Sequence, residues 1–337
     1  MERNMDRSMT MTRRDFISGL FAAGAVAGGP RFTAFANETP ADAAGASANI
    51  DPRLAVLIAD VHIPLPRSEQ RYRTGMEYTW IIDTVKREIG EILAMRPLPA
   101  YVFCLGDVSI AFSEEREYAI AAELFKPLEE AGIKLVMTVG NHDLREPFLK
   151  HLGKWAGETP VPGRVTSVTP LPDFDFVMLD SLKEPDAKDR GKYDALTKVD
   201  LGKAQLEWFR EFAAGAKRPF IVGAHHPMWE LKITKDVVRA PMCFGFIHGH
   251  NHKWDQAYLF SGYSAKTVIR SQGLPSFGID RDVGYALLRS APDGATLKYV
   301  AKDYYFPRPI PTDKRPPLWD DIVRDNSSRR VFFPFAK

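Results

Sequence analysis

The sequence predicts an α/β protein in which strands and helices alternate before giving way to consecutive strands. Two observations carry that reading. Short apolar runs at Leu54–Ala59, Tyr101–Leu105 and Lys134–Val139 are separated by stretches with helical spacing of apolar residues. Five short runs rich in His, Asp and Asn also follow, or nearly follow, apolar β-branched stretches. Strand ends are where α/β proteins carry their chemistry.

The elements follow in order. Leu54–Ala59 has the continuous apolar character of a strand buried on both faces. Met76–Met95 sets Trp80, Ile81, Val85, Ile89 and Leu93 on one helical side, and Pro97 and Pro99 stop it. Tyr101–Leu105 is a second strand, Glu114–Ala131 a second helix ending at Gly132, and Lys134–Val139 a third strand. This opening implies crossover connections and a parallel sheet. Residues 153–173, rich in Gly and Pro, read as a loop with room for an edge strand. Phe174–Leu179 reads as a strand, 181–200 as a polar segment long enough for a lid, and Lys203–Ala214 as an amphipathic helix. Pro219–Gly223 and Phe244–Ile247 are strands that run into histidines. Strand candidates at 256–261, 265–270, 284–289 and 295–301 lack intervening helices and predict antiparallel hairpins. Residues 302–337, with many Pro and aromatic residues, read as a wrapping tail or lid.

The chain has 337 residues, enough for one large or two modest domains, and no internal repeat or second domain is visible. Hydrophobic content of 45% with 26% charged residues is that of an ordinary globular protein. A formal net charge of +2 gives no electrostatic case for nucleic-acid binding. Cys104 and Cys243 lack zinc-finger spacing and are too few for a disulfide framework, so Cys104 is expected to be a buried free thiol.

Residues 1–36 read as an export signal. Arg13-Arg14 precede the apolar segment Phe16–Ala27, and Ala34-Phe35-Ala36 offers a small-x-small cleavage site. Paired arginines followed by Asp15-Phe16-Ile17 resemble the signal of the twin-arginine route. That implies the twin-arginine translocase as a partner and a periplasmic or otherwise exported location. The apolar segment is too short, and too rich in Gly and Ala, to span a membrane, so none is expected in the mature chain. Removing Arg3, Arg7, Arg13, Arg14 and Arg31 together with Glu2, Asp6 and Asp15 leaves a formally neutral chain. Residues 37–50 read as a flexible linker, and 51–301 as the folded domain.

The runs at the strand ends are Asp60-Val-His62, Gly106-Asp107, Gly140-Asn141-His142-Asp143, His225-His226-Pro227 and Gly249-His250-Asn251-His252. Imidazole and carboxylate together suit a borderline-hard metal ion. Parallel strands would bring these ends to one edge of a sheet. Asp60 and His62, two apart, would share a strand face, as would His250 and His252, with Gly249 allowing a close approach. One ion could then take Asp60, His62 and His252, and a second Asn141, His225 and His250. Asp107 is left to bridge them, which is a two-metal arrangement suited to phosphoryl transfer.

In this order the motifs Asp-x-His, Gly-Asp, Gly-Asn-His-Asp, His-His-Pro and Gly-His-x-His resemble the calcineurin-like metallophosphoesterase family over residues 54–253. The resemblance implies a four-layer α/β sandwich with two facing mixed sheets flanked by helices. It implies two ions drawn from Mn, Fe and Zn, with the ligand set just given. It also implies hydrolysis of a small phosphate ester by a metal-bridging hydroxide. His142 resembles the residue that assists the leaving oxygen. His226 is expected behind the ligands, for instance contacting substrate. Asp143 is open between support of the ligands and stabilisation of its own turn.

Two departures narrow the reading. Ile110 stands three residues after Asp107, where the purple acid phosphatases carry a ligating tyrosine and the protein phosphatases an aspartate that pairs with the histidine of the Gly-Asn-His run. Ala111 follows, and no equivalent of the protein-phosphatase arginines is evident. By elimination the expected activity is a phosphodiesterase. A phosphomonoesterase outside the purple subclass and a non-catalytic metal-containing binding protein are the alternatives. Arg67, Arg71, Tyr72 and Arg73 lie on a loop that reads first as a solvated basic loop and alternatively as a cover whose arginines grip a phosphate. Trp229 and Trp254 follow ligand runs, either walling a cleft or packing in the core. His248 is expected to point into the core, and His151 to be a surface residue.

Overall fold

The computed structural model describes residues 49–66, 68–69, 78–110, 113–183, 199–260, 268–277, 283–301 and 330–335. The export signal, nearly all of the linker, the arginines of the 67–73 loop, Ala111 and residues 184–198 and 302–329 lie outside these.

The strands form two six-stranded mixed sheets. The first contains β1 (Ile50–Ile58), β2 (Leu98–Leu105), β3 (Lys134–Thr138), β10 (Gly284–Ala291), β11 (Gly294–Ala301) and β12 (Arg330–Pro334), in the order β12-β11-β10-β1-β2-β3. The second contains β4 (Ser167–Pro170), β5 (Asp175–Leu179), β6 (Phe220–Ala224), β7 (Cys243–His248), β8 (Gln256–Phe260) and β9 (Val268–Gly273), in the order β4-β5-β6-β7-β9-β8. Helices α1 (Tyr78–Ala94), α2 (Glu115–Glu130) and α3 (Arg145–Leu152) accompany the first sheet, and α4 (Gly202–Gly215) and α5 (Thr234–Arg239) the second.

The alternation of side chains shows how the layers are built. Along β1, Val56 and Ile58 join the core under α1 and α2, while Ala55 and Leu57 join the core between the sheets. Along β2, Val102 and Cys104 face outward to the helices, and Phe103 and Leu105 inward. On the other sheet, Phe176, Met178 and Ile221 point inward, while Val177, Leu179 and Val222 meet the helix side. Strands covered on both faces must be apolar throughout, and this is why these runs showed no polar alternation. Phe103 and Phe176 stack across the inter-sheet core with centroids 4.4 Å apart.

Helix α1 buries Ile81, Ile82, Val85, Ile89 and Ile92. Helix α2 begins with a capping box in which Glu114 and Glu117 each satisfy the other's backbone N–H. Both cysteines are buried and free. No helix among the described residues is long and apolar enough to cross a membrane.

Several details differ from expectation. The first strand starts at Ile50 rather than Leu54, because Ile50 and Asp51 pair with Leu98 and Pro99. β8–β9 and β10–β11 are antiparallel hairpins, but β9 also pairs parallel with β7. Helices α3 and α5 are too short to show a clear period in the sequence. The described end of the tail is not a lid: β12 pairs antiparallel with β11 and buries Phe333 between the sheets.

That insertion makes a stability prediction. Phe333 has no exposed surface, so Phe333→Ala should cost about 3–5 kcal/mol. Equilibrium denaturation of parent and variant measures this, and a loss below about 1 kcal/mol would mean that the ring does not pack in the core.

Candidate metal centre

The loops that leave β1 and β2 continue to pair after the strands end. The N–H of Asp60 donates to the Gly106 carbonyl at 3.0 Å, His62 to Asp107 at 3.0 Å and Ile63 to Val108 at 2.8 Å. Asp60, His62, Asp107, His250 and His252 all adopt left-handed backbone, with φ of 54°, 52°, 53°, 68° and 51°. The expectation that the Asp-x-His and His-x-His pairs lie on strand faces is therefore corrected. These residues follow the strand ends, and turns aim their side chains. Side chains other than glycine in this region are strained, and such strain clusters at functional sites. Gly140 allows the loops to touch: a Cβ there would lie 2.1 Å from Asp107 Oδ1.

The candidate ligands converge from both sheets, not along one sheet edge. Asp60 Oδ1 lies 3.1 Å from His252 Nε2, and His62 Nε2 lies 3.2 Å from His252 Nε2. On the other side His225 Nε2 lies 3.1 Å from Asp107 Oδ2 and 3.0 Å from Asn141 Oδ1, while His250 Nδ1 is 2.9 Å from Asn141 Oδ1. Asp107 Oδ2 is also 3.8 Å from His62 Nε2, so this carboxylate stands between the two groups. In each of three sets the donor atoms lie within 4.8 Å of one another: Asp60, His62 and His252; Asp60, Asp107 and His225; and His225, His226 and His250. Donors about 3 Å apart are what a cation bonded at about 2.0–2.2 Å to each would produce. The His62 and His252 Nε2 atoms face each other at hydrogen-bond distance, and with the ring protons on Nδ1 both lone pairs are turned to the same space, where a cation can take them.

Residues 55–254 match the family described as calcineurin-like phosphoesterase. The chain belongs to the calcineurin-like phosphoesterase family. Among solved structures, a dimetal phosphatase from Danio rerio is similar over 74% of this chain and 96% of its own, at 16% identity and a TM-score of 0.55. A zinc complex of Vps29 from Entamoeba histolytica is similar over 74% of this chain and 92% of its own, at 12% identity and a TM-score of 0.32. Among curated proteins, none matches the chain in sequence.

This phosphoesterase orients His142 without a side-chain partner at position 110. His142 Nδ1 lies 2.7 Å from the Ile110 carbonyl oxygen, which can only accept, so Nδ1 carries the proton and donates. The ring is thereby fixed with Nε2 as its free nitrogen. The His142 N–H donates to Asp107 Oδ1 at 2.8 Å, and Ser113 Oγ donates to the His142 carbonyl at 2.7 Å. The ring meets His62 edge-on, with centroids 4.9 Å apart.

Asp143 is buried, and its carboxylate accepts from the N–H groups of Val108, Ser109 and Gly140 and from the Tyr118 hydroxyl. It thus clamps the Asp107 loop to the Asn141 loop, and also serves its own turn. His226 is held by Ser181 Oγ at Nδ1, 2.8 Å away, and its buried Nε2 has no hydrogen-bond partner. His248 is buried, with Nδ1 donating to the Gly249 carbonyl. Trp254 stacks on Tyr299 in the inter-sheet core and does not wall a cleft. His151 pairs with Glu115. Glu230, Ser181 and Tyr118 escaped the sequence reading because each acts through a contact made only in the fold; Glu230 Oε2 comes within 3.8 Å of His250 Nε2.

Charge is unevenly shared among the clustered side chains. Burial pushes Asp143 up, aided by the nearby Asp107 charge, to about 6. Burial and His142 press His62 down to about 3, and burial and His225 press His250 down to about 4. Burial also pushes His225 down, but Asp107 and Asp60 outweigh it and raise that imidazole to about 9. Below that value His225 carries a proton on the nitrogen that faces the centre, because Nδ1 already donates to the Leu105 carbonyl. A cation needs that lone pair. Uptake of Mn at pH 7 should therefore release a proton, and apparent affinity should climb as pH rises toward 9. Calorimetry in buffers of different ionisation enthalpy reads the release; a heat independent of buffer would contradict it.

Proposed function

We propose that the chain is a dinuclear phosphoesterase acting on small phosphate diesters. The observation that carries this reading is the convergence of nitrogen and oxygen donors about two buried carboxylates. Asp60, His62 and His252 would hold one ion, Asn141, His225 and His250 the other, with Asp107 shared between the two groups. The ions are Mn, Fe or Zn. Bound there, they supply Lewis acidity toward phosphoryl oxygens and lower the pKa of water.

The chain's own residues do the rest. The Ile110 carbonyl holds the His142 ring by its Nδ1–H and leaves Nε2 toward the centre. In the imidazolium form, with both nitrogens protonated, Nε2–H can give its proton to the departing alcohol oxygen, and the ring is left neutral with the Nδ1–H kept. Asp143 keeps the Asp107 and Asn141 loops at fixed separation. His226, behind His225 and His250, packs its ring against both.

The diester preference is supported by charge. Among the described residues, Arg145 and Arg164 are engaged by Asp180. Glu230 adds a carboxylate beside His250. A dianionic monoester would meet that carboxylate with one negative charge more than a diester carries. The chain is further proposed to reach the periplasm through the twin-arginine translocase, on the strength of Arg13 and Arg14.

Chromogenic monoesters and diesters assayed with Mn should be hydrolysed, diesters faster, and chelator should abolish turnover. Faster monoester turnover would make it a phosphomonoesterase, and retained metal without turnover a binding protein. His142→Asn should keep both ions but lower diester kcat by about 10²–10⁴-fold; unchanged kcat would remove His142 from the chemistry. Changing Arg13 and Arg14 to Lys should block export, and normal export would refute the twin-arginine route.

A further inference from the structure

Beside the second donor group, a short turn carries Trp229, which the proposed chemistry does not use, and Glu230, which enters it only through its charge. Trp229 is 43% exposed and is one of three exposed large hydrophobic residues among those described. Its turn is nevertheless firmly built. The N–H groups of Glu230 and Leu231 both donate to the Pro227 carbonyl, at 3.1 and 3.2 Å, and that of Ile233 to Met228 at 3.1 Å. Met228, Leu231 and Ile233 anchor the turn in the core outside the second sheet. The indole is held nearly perpendicular to the His248 ring, with centroids 5.4 Å apart, next to the Gly249–His250 step. The neighbouring Glu230 carboxylate faces His250 Nε2 at 3.8 Å, and no Lys or Arg pairs with it among the described residues.

An anchored turn that presents a large apolar ring to solvent forgoes the gain of burying it. An aromatic surface next to a carboxylate that no Lys or Arg pairs with among the described residues is the combination that takes an alkylammonium group. We propose that Trp229 and Glu230 form a subsite for a cationic ammonium group carried by the phosphate ester. The indole receives the alkyl surface of the cation and Glu230 its charge. The subsite borders His250, so it reads a group attached to the phosphate through a short linker. This rests on the phosphoesterase reading above, and it narrows the substrate to esters of amino alcohols, quaternary ones included.

The test is binding to the Mn-loaded protein by calorimetry. The probes are phosphorylcholine and 3,3-dimethylbutyl phosphate, which has the same shape with carbon in place of the charged nitrogen. The wild type should bind phosphorylcholine about tenfold more tightly. Trp229→Ala and Glu230→Gln should each bring the two affinities close together, and Trp229→Phe should keep most of the preference. Equal affinities in the wild type, or variants that keep the full preference, would overturn the subsite. So would a Glu230→Gln variant that weakens both ligands equally, since that marks a residue serving only to hold His250. Hydrolysis of p-nitrophenyl methyl phosphate, followed separately, reports on the phosphoesterase reading. Ammonium selectivity without hydrolysis would sustain the subsite and reject the enzyme.

Discussion

The clamp made by Asp143 is the interaction on which the centre depends. One buried carboxylate accepts from backbone groups of two loops that belong to different strand connections, and from a hydroxyl on α2. Removing it would strand three backbone N–H groups in a place water does not reach, each costing about 1–3 kcal/mol. The distance between the Asp107 and Asn141 loops, and hence between the two donor groups, is set there. The carboxyl resists ionisation because it is buried beside Asp107, and it is the donors around it that make the charged form tolerable.

The clamp works because the larger architecture brings the loops to it. Two sheets, each covered on its outer face by helices, meet through Phe103, Phe176, Ile221 and their neighbours. The ends of β1, β2 and β3 then oppose those of β6 and β7. Asp60, Asp107 and Asn141 come from one sheet, and His225, His250 and His252 from the other. A centre assembled from both sides needs an inter-sheet core that does not slide, and the stacked aromatic rings with the β12 phenylalanine provide it.

The strands and the longer helices were legible because their apolar spacing is a direct consequence of which faces are covered. So were the candidate ligands: His, Asp and Asn at the ends of buried runs have few structural duties that would produce such order. The two short helices were not legible, since six to eight residues hold barely two turns. Backbone conformation was also hidden. Asp60 and His62 look like strand residues two apart, yet each sits at positive φ. Asp and His are enriched at positive φ, but that preference alone does not tell which of them adopt it; here hydrogen bonds to another loop hold the conformation. Glu230 lay beyond reach for a similar reason, as its contact with His250 is set by a turn geometry and not by a motif.

Ile110 performs two tasks with different parts of itself. Its side chain is buried among α2 and the strands, while its carbonyl oxygen holds His142. An orienting carboxylate would add a full negative charge behind the imidazole and could be lost by a single substitution. A peptide oxygen brings a dipole only, and it is present whatever residue occupies the position. The direction of the histidine is thus written into the main chain, and the side chain at 110 is left to answer to packing alone.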